Sequence, residues 1–316
     1  MKILFTSVGR RVELIQLFKE AAGRLNVELE IFGADITELA PALFFCDKKV
    51  IVPLISDKAY IPTLIDICRR NSIDALIPTI DTDLLLLSEN AARFDAAGTK
   101  VFISAPEKIA VCRDKNYTSD FFVSCGLKAP KTYNDCYMYD GGFPCFIKPK
   151  DGSSSVDAYK ISNPEELLEF AKRVDGYIIQ PFVDGEEYTV DIFCGFDGSP
   201  VFITPRKRIA VRAGEVLKTE IACDEKIIEE CQKIIDRFKP VGAITVQLIK
   251  DKKTDDNYYI EINPRYGGGA PHSIMAGADS PAAVIRILRG EKPGYVKNAA
   301  ENGAFFSRFD QSIRLK

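Results

Sequence analysis

A five-residue polar motif, Glu261-Ile262-Asn263-Pro264-Arg265, follows a stretch whose composition predicts a β-strand. Alternate side chains of a strand point to the same face, so Glu261 and Asn263 are expected side by side, and Pro264 should end the strand. A carboxylate and a carboxamide oxygen are ligands that Mg²⁺ accepts when phosphate oxygens complete its coordination. Arg265 adds a guanidinium fork that suits a phosphate. On these residues alone, a polar strand end that enters a glycine turn explains the motif equally well.

A glutamine lies where it could join this site. Gln247 interrupts an apolar run and precedes Glu261 by fourteen residues. That separation fits a hairpin in which Gln247 and Glu261 face each other across neighbouring strands. Together with Asn263 they offer three side-chain oxygen groups, of which only one is charged. Such a set needs the phosphates of a nucleotide to hold Mg²⁺.

A lysine and a loop of small residues supply candidate phosphate ligands earlier in the chain. Lys148 interrupts an apolar predicted strand, where a charged side chain is costly unless it meets an anion. The loop that follows contains Gly152, Ser153, Ser154 and Ser155. The backbone N–H groups of such a loop can wrap phosphate oxygens, although most Gly-Ser loops are plain turns. The lysine, the loop and the strand motif together favour a phosphate site more than any of them alone.

Two further polar residues are open to more than one interpretation. Glu187 begins a predicted strand and could accept hydrogen bonds from ribose hydroxyls, or it could be an ordinary charged strand entrance. His272 is the only histidine in the chain and follows a glycine loop at 267–269. It could act as an acid or base beside a phosphate site, but an orienting or structural role is favoured.

The elements that must position these groups follow from the periodicity of apolar residues. In the first hundred residues, short apolar runs alternate with helical patterns, which is typical of a parallel sheet with crossover helices. After about residue 106 the pattern changes to helices and antiparallel strands, with a long amphipathic helix from about residue 224. In the first region strands are predicted at 2–8, 29–34, 75–78 and 101–104, with a helix through 84–92.

Polar residues follow the strands of this first sheet. The turn at 7–11 lacks the G-x-G-x-x-G dinucleotide fingerprint. A strand end that enters a helix can still hold an anion, and Arg10 and Arg11 could assist it, although a solvated basic turn is at least as consistent. Asp35 and Asp81 also follow predicted strands. Open α/β sheets bind ligands at such positions, but an aspartate there can equally cap a helix.

Composition limits the class of protein. A chain of 316 residues with 46% hydrophobic and 28% charged residues predicts a globular protein of two or three domains. A net charge of −3 argues against a nucleic-acid partner. The apolar runs are too short for a membrane span or a signal peptide. Nine scattered cysteines and one histidine argue against a zinc site and fit reduced thiols in a cytoplasmic protein.

In this order the motifs resemble the ATP-grasp superfamily, and most closely one ATP-grasp unit of the carbamoyl-phosphate synthase large subunit. The matching run is Thr245-Val246-Gln247 followed by Glu261 to Arg265. The resemblance implies an α/β and α+β fold class, in which an N-terminal parallel α/β (pre-ATP-grasp, Rossmann-like) domain precedes a two-lobed ATP-grasp fold. The implied boundaries are 1–105 for the first domain, 106–185 for the lobe with the phosphate flap, and 186–316 for the lobe with the metal site.

The resemblance also implies roles for individual residues. Gln247, Glu261 and Asn263 would hold Mg²⁺, with Mn²⁺ as a substitute, and Lys148 and Arg265 would act on the transferred phosphoryl group. The implied ATP-binding residues comprise two basic side chains, the flap, the adenine-reading segment and a ribose-binding acid: Lys115, Lys148, Gly152, Ser153, Ser154, Ser155, Gln180, Phe182, Val183 and Glu187. Substrate contacts are expected, without a one-to-one match, from Arg10, Asp81, Arg206, Arg208, Arg212 and His272.

The implied activity is an ATP- and Mg²⁺-dependent carboxylate–amine (or ammonia) ligase that works through an acyl phosphate and releases ADP and phosphate. Phosphoryl transfer needs positioning and charge neutralisation, so no catalytic Ser, Cys or His is required. The alternative is a non-catalytic ATP-binding module or a subunit of a larger ligase assembly. A kinase-like reaction without amine transfer is a third reading. The expected partners are a small carboxylate and an amine, with no nucleic acid and no membrane; a homodimer is permitted.

Overall fold

The computed structural model describes residues 1–151 and 157–315. The N-terminal part is a five-stranded sheet in the order β3-β2-β1-β4-β5, and every neighbouring pair is parallel. The first strand is therefore central, and the predicted parallel α/β architecture is confirmed. Its strands are β1 (Lys2–Thr6), β2 (Glu30–Asp35), β3 (Lys48–Ile51), β4 (Ala75–Pro78) and β5 (Lys100–Val101).

The helices of this part depart from prediction at one point. The helix expected through 84–92 is divided at Asn90, whose side-chain amide donates to Leu86 O at 2.8 Å and ends the first piece. The last strand is also shorter than expected and stops at Val101. The helices are α1 (Val12–Arg24), α2 (Tyr60–Asn71), α3 (Leu84–Glu89) and α4 (Ala91–Asp95).

A second, smaller sheet has three antiparallel strands in the order β7-β6-β8. Two helices connect it to the first sheet, and a third packs on it. The third helix is capped by Asn163, whose side chain accepts from Glu166 N, and Pro164 lies in its first turn. The elements of this region are α5 (Pro106–Arg113), α6 (Lys115–Ser124), β6 (Cys145–Pro149), β7 (Tyr159–Ile161), α7 (Pro164–Phe170) and β8 (Tyr177–Pro181).

The third sheet has six antiparallel strands in the order β13-β12-β9-β10-β11-β14. Two short helices, α9 (Ala270–Met275) and α10 (Ser280–Leu288), follow its glycine loop. The strands, with the long helix that packs on them, are β9 (Gly185–Cys194), β10 (Pro200–Arg212), β11 (Glu215–Ile221), α8 (Glu225–Phe238), β12 (Gly242–Asp251), β13 (Asn257–Asn263) and β14 (Phe305–Ser307).

The two faces of the six-stranded sheet have different chemistry. Val190, Ile192, Val246 and Ile262 are buried against the apolar stripe of α8. The residues that alternate with these along each strand point to the opposite face of the sheet. On β9, β12 and β13 those residues are mostly polar. The alternation therefore fixes one face as core and leaves the opposite face for the predicted site.

Helix α8 is the predicted amphipathic helix. Asp224 caps it by accepting a hydrogen bond from Ile227 N at 3.2 Å, and Ile234, Ile235 and Phe238 have no exposed surface. In the part of the chain that the structure describes, no helix is both long and apolar enough to cross a membrane. The nine cysteines, all within the described ranges, are free thiols. The domain boundaries at 105 and 185 stay predictions.

Truncation of the α8 stripe should destabilise the sheet that carries the site. We expect Ile234→Ala to lower the free energy of unfolding by about 2–5 kcal/mol, because it removes buried methyl groups and leaves a cavity. The matched exposed change on the same helix, Glu229→Ala, should alter it by less than about 0.5 kcal/mol. Urea unfolding followed by circular dichroism measures both, and equal effects of the two changes would contradict the assignment of the stripe as core.

Candidate active site

The three predicted metal ligands lie on adjacent strands. Gln247 of β12 is the register partner of Glu261 of β13, and Thr245 is the partner of Asn263. Asn263 Nδ2 donates to Glu261 Oε1 at 2.8 Å, so these two side chains share a face. The ladder shifts by a bulge between Gln247 and Leu248, next to the site. All three side chains are partly buried on the polar face of the sheet.

This donor set fits Mg²⁺ that arrives with a nucleotide. Gln247, Glu261 and Asn263 provide hard oxygens and one negative charge, and Mg²⁺ prefers oxygen ligands and commonly keeps substrate phosphates among them. Within the described ranges no three His, Cys, Asp or Glu side chains converge as a metal cage. The chain therefore offers part of a coordination shell, of the kind that phosphate oxygens would complete.

Two lysines approach the same carboxylate from the other lobe. Burial lowers the pKa of Lys148 on β6 to about 8, and the nearby charge of Glu261 opposes that shift. Burial also lowers the pKa of Lys115, which begins α6, and Glu261 again opposes the shift. Lys115 N donates to Lys150 O at 2.9 Å, which holds the start of α6 against the end of β6. Lys148 and Lys115 therefore both lie near enough to Glu261 for its charge to act on them.

The predicted flap, Gly152, Ser153, Ser154 and Ser155, lies outside the described residues. Lys148 and Asp151 mark where the chain enters it. The flap stays a prediction of the sequence.

The segment expected to read adenine follows β8. Gln180 is buried, and its Nε2 donates to Thr132 Oγ1 at 2.9 Å. Phe182 N donates to Pro144 O at 3.1 Å, while the described residues provide no backbone acceptor for Val183 N–H. The contact of Val183 with adenine stays a prediction of the sequence. The Lys160 ammonium lies 3.9 Å from the centroid of the Phe182 ring and covers that side chain.

The predicted ribose acid has a basic partner. Arg208 Nε donates to Glu187 Oε2 at 3.1 Å, and Arg208 Nη1 reaches Thr189 Oγ1 at 3.4 Å. The Arg208 side chain is almost fully buried, and its Nη2 also donates to Gly214 O at 3.0 Å. Arg208 thus positions Glu187 at the edge of the cleft, while Arg212 forms an exposed ion pair with Asp310 at 3.1 Å.

Arg265 connects the metal side chains to the N-terminal sheet. Its Nη2 donates to Asp81 Oδ2 at 2.6 Å and to Asn263 Oδ1 at 3.2 Å. Its Nε also reaches Asp81 Oδ2 at 3.2 Å. Asp81, in the loop after β4, therefore orients the guanidinium at the end of the predicted phosphate site.

Arg206 belongs to a buried network that supports the glycine loop, and His272 is buried near it. Arg206 is 1% exposed, and its Nε donates to Asp191 Oδ2 at 2.7 Å. Ser273 Oγ donates to the same oxygen at 2.6 Å. A Cβ added at Gly269 would lie 2.6 Å from Arg206 Nη2, so this position requires glycine. Arg206 lies beneath the loop and does not reach the cleft surface, because Asp191 and Gly269 enclose its guanidinium.

His272 has little capacity for proton transfer near neutral pH. Burial, and then the charge of Arg206, lower its pKa to about 4, although Asp191 opposes the shift. Its ring stacks on Phe306 with centroids 5.4 Å apart. Within the described residues its buried Nδ1 has no hydrogen-bond partner. This geometry favours the structural role.

Sequence reasoning missed Asp191 and left Arg11 without a definite role. Asp191 interrupts the apolar strand β9, which is the same signal that identified Lys148 on β6. Burial and the nearby charge of Arg265 lower the pKa of Arg11 to about 10. Arg11 Nη2 donates to Thr79 O at 3.0 Å. The charges of Glu215 on β11 and of Asp81 after β4 oppose that pKa shift, and no local pattern reveals neighbours so far apart in sequence.

A cavity of about 130 Å³ lies beyond Arg265, between the N-terminal sheet and the glycine loop. Its charged walls include Arg10, Arg11, Glu215 and Arg308. Arg308 Nη1 donates to Glu215 Oε2 at 2.7 Å, and Arg10 Nη2 is 3.6 Å from Glu215 Oε1. Of the predicted substrate contacts, the structure thus places Arg10 at this cavity, while Asp81 pairs with Arg265.

Comparison with known protein families identifies the fold. Residues 144–305, more than half of the chain, match the family model "ATP-grasp in the biosynthetic pathway with Ter operon". Residues 3–102 match "PylC-like, N-terminal domain". The chain belongs to this ATP-grasp family. The predicted resemblance to the ATP-grasp superfamily and the two-lobed ATP-grasp fold are therefore confirmed, and the chain is an ATP-binding protein of the ATP-grasp ligase class.

Individual relatives agree with that assignment. A D-alanine–D-alanine ligase of Fusobacterium nucleatum is 29% identical over 219 residues, which cover 63% of this chain and 75% of that protein. The biotin carboxylase domain of Hydrogenobacter thermophilus 2-oxoglutarate carboxylase, solved with MgADP and bicarbonate, has a TM-score of 0.75 at 15% identity over 96% of this chain and 73% of that one. An L-amino acid ligase from Bacillus licheniformis has a TM-score of 0.71 at 18% identity, covering 91% and 74%. The two structures share the fold.

The lowered pKa of Lys148 predicts that nucleotide affinity depends on pH. Below about pH 8 the free protein carries the Lys148 charge, and above it that charge is lost, so phosphate binding must restore the proton. ADP affinity should therefore fall as pH rises from about 7.5 to 9.5, with a slope that approaches about tenfold per pH unit. Isothermal titration calorimetry at several pH values measures the slope.

Lys148→Arg keeps its positive charge between these pH values, so ADP affinity should then change little with pH. Lys115→Arg should leave the pH dependence in place, because Lys148 produces it. An ADP affinity that is constant with pH in the unmodified protein would contradict the placement of Lys148 against the phosphates.

Proposed function

We propose that the protein is an ATP- and Mg²⁺-dependent ligase that joins a carboxylate to an amine, or to ammonia, through an acyl phosphate, with release of ADP and phosphate. The observation that carries this proposal is one continuous polar path. Lys148 and Lys115 face Glu261, Asn263 bonds both Glu261 and Arg265, and Arg265 points toward the N-terminal sheet. A triphosphate laid along the lysines would end beside Arg265.

The residues on this path match the needs of carboxylate activation. A carboxylate resists nucleophiles because it is negative and its oxygen leaves poorly, and phosphorylation provides a good leaving group. Lys115, Lys148 and Arg265 would hold positive charge around the phosphates and the developing transition state. Mg²⁺ held by Glu261 and its two amide partners would, when bound, neutralise further phosphate charge. No covalent intermediate with the protein is needed.

The orientation of Arg265 supports a defined place for the acid substrate. Asp81 holds two nitrogens of the guanidinium, and Asn263 Oδ1 accepts from one of them. A guanidinium restrained from two sides loses little side-chain freedom on binding, so its charge is preorganised for the acid and the phosphoryl group. The cavity beyond Arg265 would then hold the rest of the substrate.

Relatives support an amino group as the attacking nucleophile. The Fusobacterium protein is a D-alanine–D-alanine ligase, and the Bacillus licheniformis protein is an L-amino acid ligase. The predicted carbamoyl-phosphate-synthase-like form of the reaction would instead use bicarbonate and ammonia. An assay of ADP release across amino acids, hydroxy acids and bicarbonate, with and without amines, tests these forms together.

A non-catalytic ATP-binding module is the second function to consider. It predicts tight ATP binding without ADP release for any acid and amine. The presence of two lysines, three oxygen ligands and an oriented arginine in one cleft favours the ligase, because ATP binding alone does not require Arg265 to be held by Asp81.

Removal of the single metal-binding charge should abolish turnover. We expect Glu261→Gln to reduce acid-dependent ADP release by about 100-fold or more, because it removes charge from the metal site while keeping the shape of the side chain. A coupled ADP assay measures the rate at saturating ATP. The exposed Glu301→Gln change provides the matched control and should retain full activity.

Circular dichroism and unfolding midpoints establish that both variants are folded. Full ADP release by a folded Glu261→Gln protein would refute the metal-site assignment. ATP binding by the unmodified protein, without release of ADP for any acid, would instead favour the binding module.

A further inference from the structure

The cavity beyond Arg265 is separate from the predicted phosphoryl-transfer point. Neither Arg265 nor the metal-binding side chains line it; its walls come from the first strand–helix turn, the glycine loop, Glu215 and Arg308. A group that fills it is therefore a different part of the substrate from the carboxylate that would be phosphorylated. The charges of the lining side chains determine which second group would bind there.

The walls carry more positive than negative charge. Arg10, Arg11 and Arg308 oppose Glu13 and Glu215. Glu215 already pairs with Arg308 at 2.7 Å, and Arg308 keeps the pKa of Glu215 below its usual value although burial opposes this. Burial raises the pKa of Glu13, which disfavours its charged form. The walls therefore carry three basic and two acidic side chains, an excess of one positive group.

The Arg11 guanidinium directs N–H groups toward this cavity. Among the described residues, the hydrogen bond of its side chain runs from Nη2 to Thr79 O at 3.0 Å. A Cβ added at Gly268 would lie 3.5 Å from Arg11 Nη1 and 3.7 Å from Glu215 Cδ, so Nη1 faces the glycine loop. Because burial is costly for a guanidinium without full pairing, an anion at Nη1 would be stabilising.

Arg10 and helix α1 add to the same preference. The Arg10 side chain is 81% exposed and lies 3.6 Å from Glu215, so it can turn toward a ligand at little cost. Helix α1 has 13 residues, begins after Arg11 without a side-chain cap, and its first turn lines the cavity at Glu13. Its unpaired N–H groups provide partial positive charge at the same wall.

We propose that the acid substrate carries a second anionic group, a carboxylate or a phosphate, which binds in the cavity formed by Arg10, Arg11, Arg308 and the glycine loop. This inference extends the proposed function and rests on it for one point, the phosphorylation of the first carboxylate. The reactive carboxylate lies beside Arg265, and the second anion extends toward Arg11 and Arg10. An acid with one carboxylate leaves Glu215 as the acidic neighbour of Arg308 and Arg10 and places no anion at Arg11 Nη1.

Three acids of similar length separate the alternatives: butyrate, succinate and 3-phosphonopropionate. Their binding is measured by calorimetry on the full chain loaded with Mg²⁺ and a nonhydrolysable ATP analogue, and ADP release is measured with ATP. Succinate or 3-phosphonopropionate should bind about tenfold more tightly than butyrate, the difference that one extra ion pair in a partly buried site can supply. Tighter binding of succinate would identify the second group as a carboxylate, and tighter binding of 3-phosphonopropionate would identify it as a phosphate.

Two variants test whether the second anion binds in this cavity. Arg10→Gln should weaken the preferred dianionic acid by about tenfold and leave butyrate unchanged, since it removes one cavity charge. Gly268→Ala places a methyl group between Arg11 and Glu215 and should weaken that acid without changing ADP affinity. Gly294→Ala, where an added Cβ meets nothing within 4 Å, and Arg70→Gln on the exposed face of α2 are the controls.

If neither dianionic acid binds more tightly than butyrate, or if Arg10→Gln and Gly268→Ala leave their binding unchanged, the inference is wrong. If a dianionic acid binds as expected but no acid releases ADP, the inference stands and the proposed ligase function fails. If a monocarboxylate releases ADP as efficiently as a dianionic acid, the function stands and the inference fails.

Discussion

The arrangement of the active cleft depends on one balance of charge around Glu261. Two lysines from one lobe lie near Glu261, and Arg265 from the sheet is joined to that carboxylate through Asn263. Burial lowers the pKa of Lys148, and the nearby positive charge of Lys115 adds to that shift, so the cleft holds this charge at a cost. Glu261 offsets part of that cost, and the phosphates of a nucleotide would offset more. The cleft is therefore best neutralised when ATP occupies it.

The fold sustains this balance through rigid elements. Helix α8 covers the apolar face of the six-stranded sheet, so the opposite face can present polar side chains in a fixed register. The buried pair of Arg206 and Asp191 fixes the glycine loop, and Asp81 reaches from the N-terminal sheet to hold Arg265. Each of the three sheets thus contributes side chains to one cleft, the N-terminal sheet through Asp81 in the loop after β4.

Local patterns in the sequence could predict much of this, and long-range contacts could not. The strand motif, the hairpin spacing and the charged residue in an apolar strand gave the register of Gln247 with Glu261 and drew attention to Lys148, because these depend on neighbours close in sequence. The partners of Arg11 and the pair of Arg265 with Asp81, 184 residues apart, depend on how separate sheets pack. The division of a predicted helix at Asn90 follows from one side-chain hydrogen bond that periodicity does not reveal.

The central claim is that Gln247, Glu261 and Asn263 hold a divalent cation against the phosphates of ATP. A crystal structure of the full chain with Mg²⁺ and a nonhydrolysable ATP analogue tests it most directly. The account predicts Mg²⁺ about 2.1 Å from oxygens of these side chains and of the phosphates, with Lys148 and Lys115 on the phosphate tail and Arg265 at its end. A cation bound elsewhere, or a triphosphate that runs away from Arg265, would contradict it.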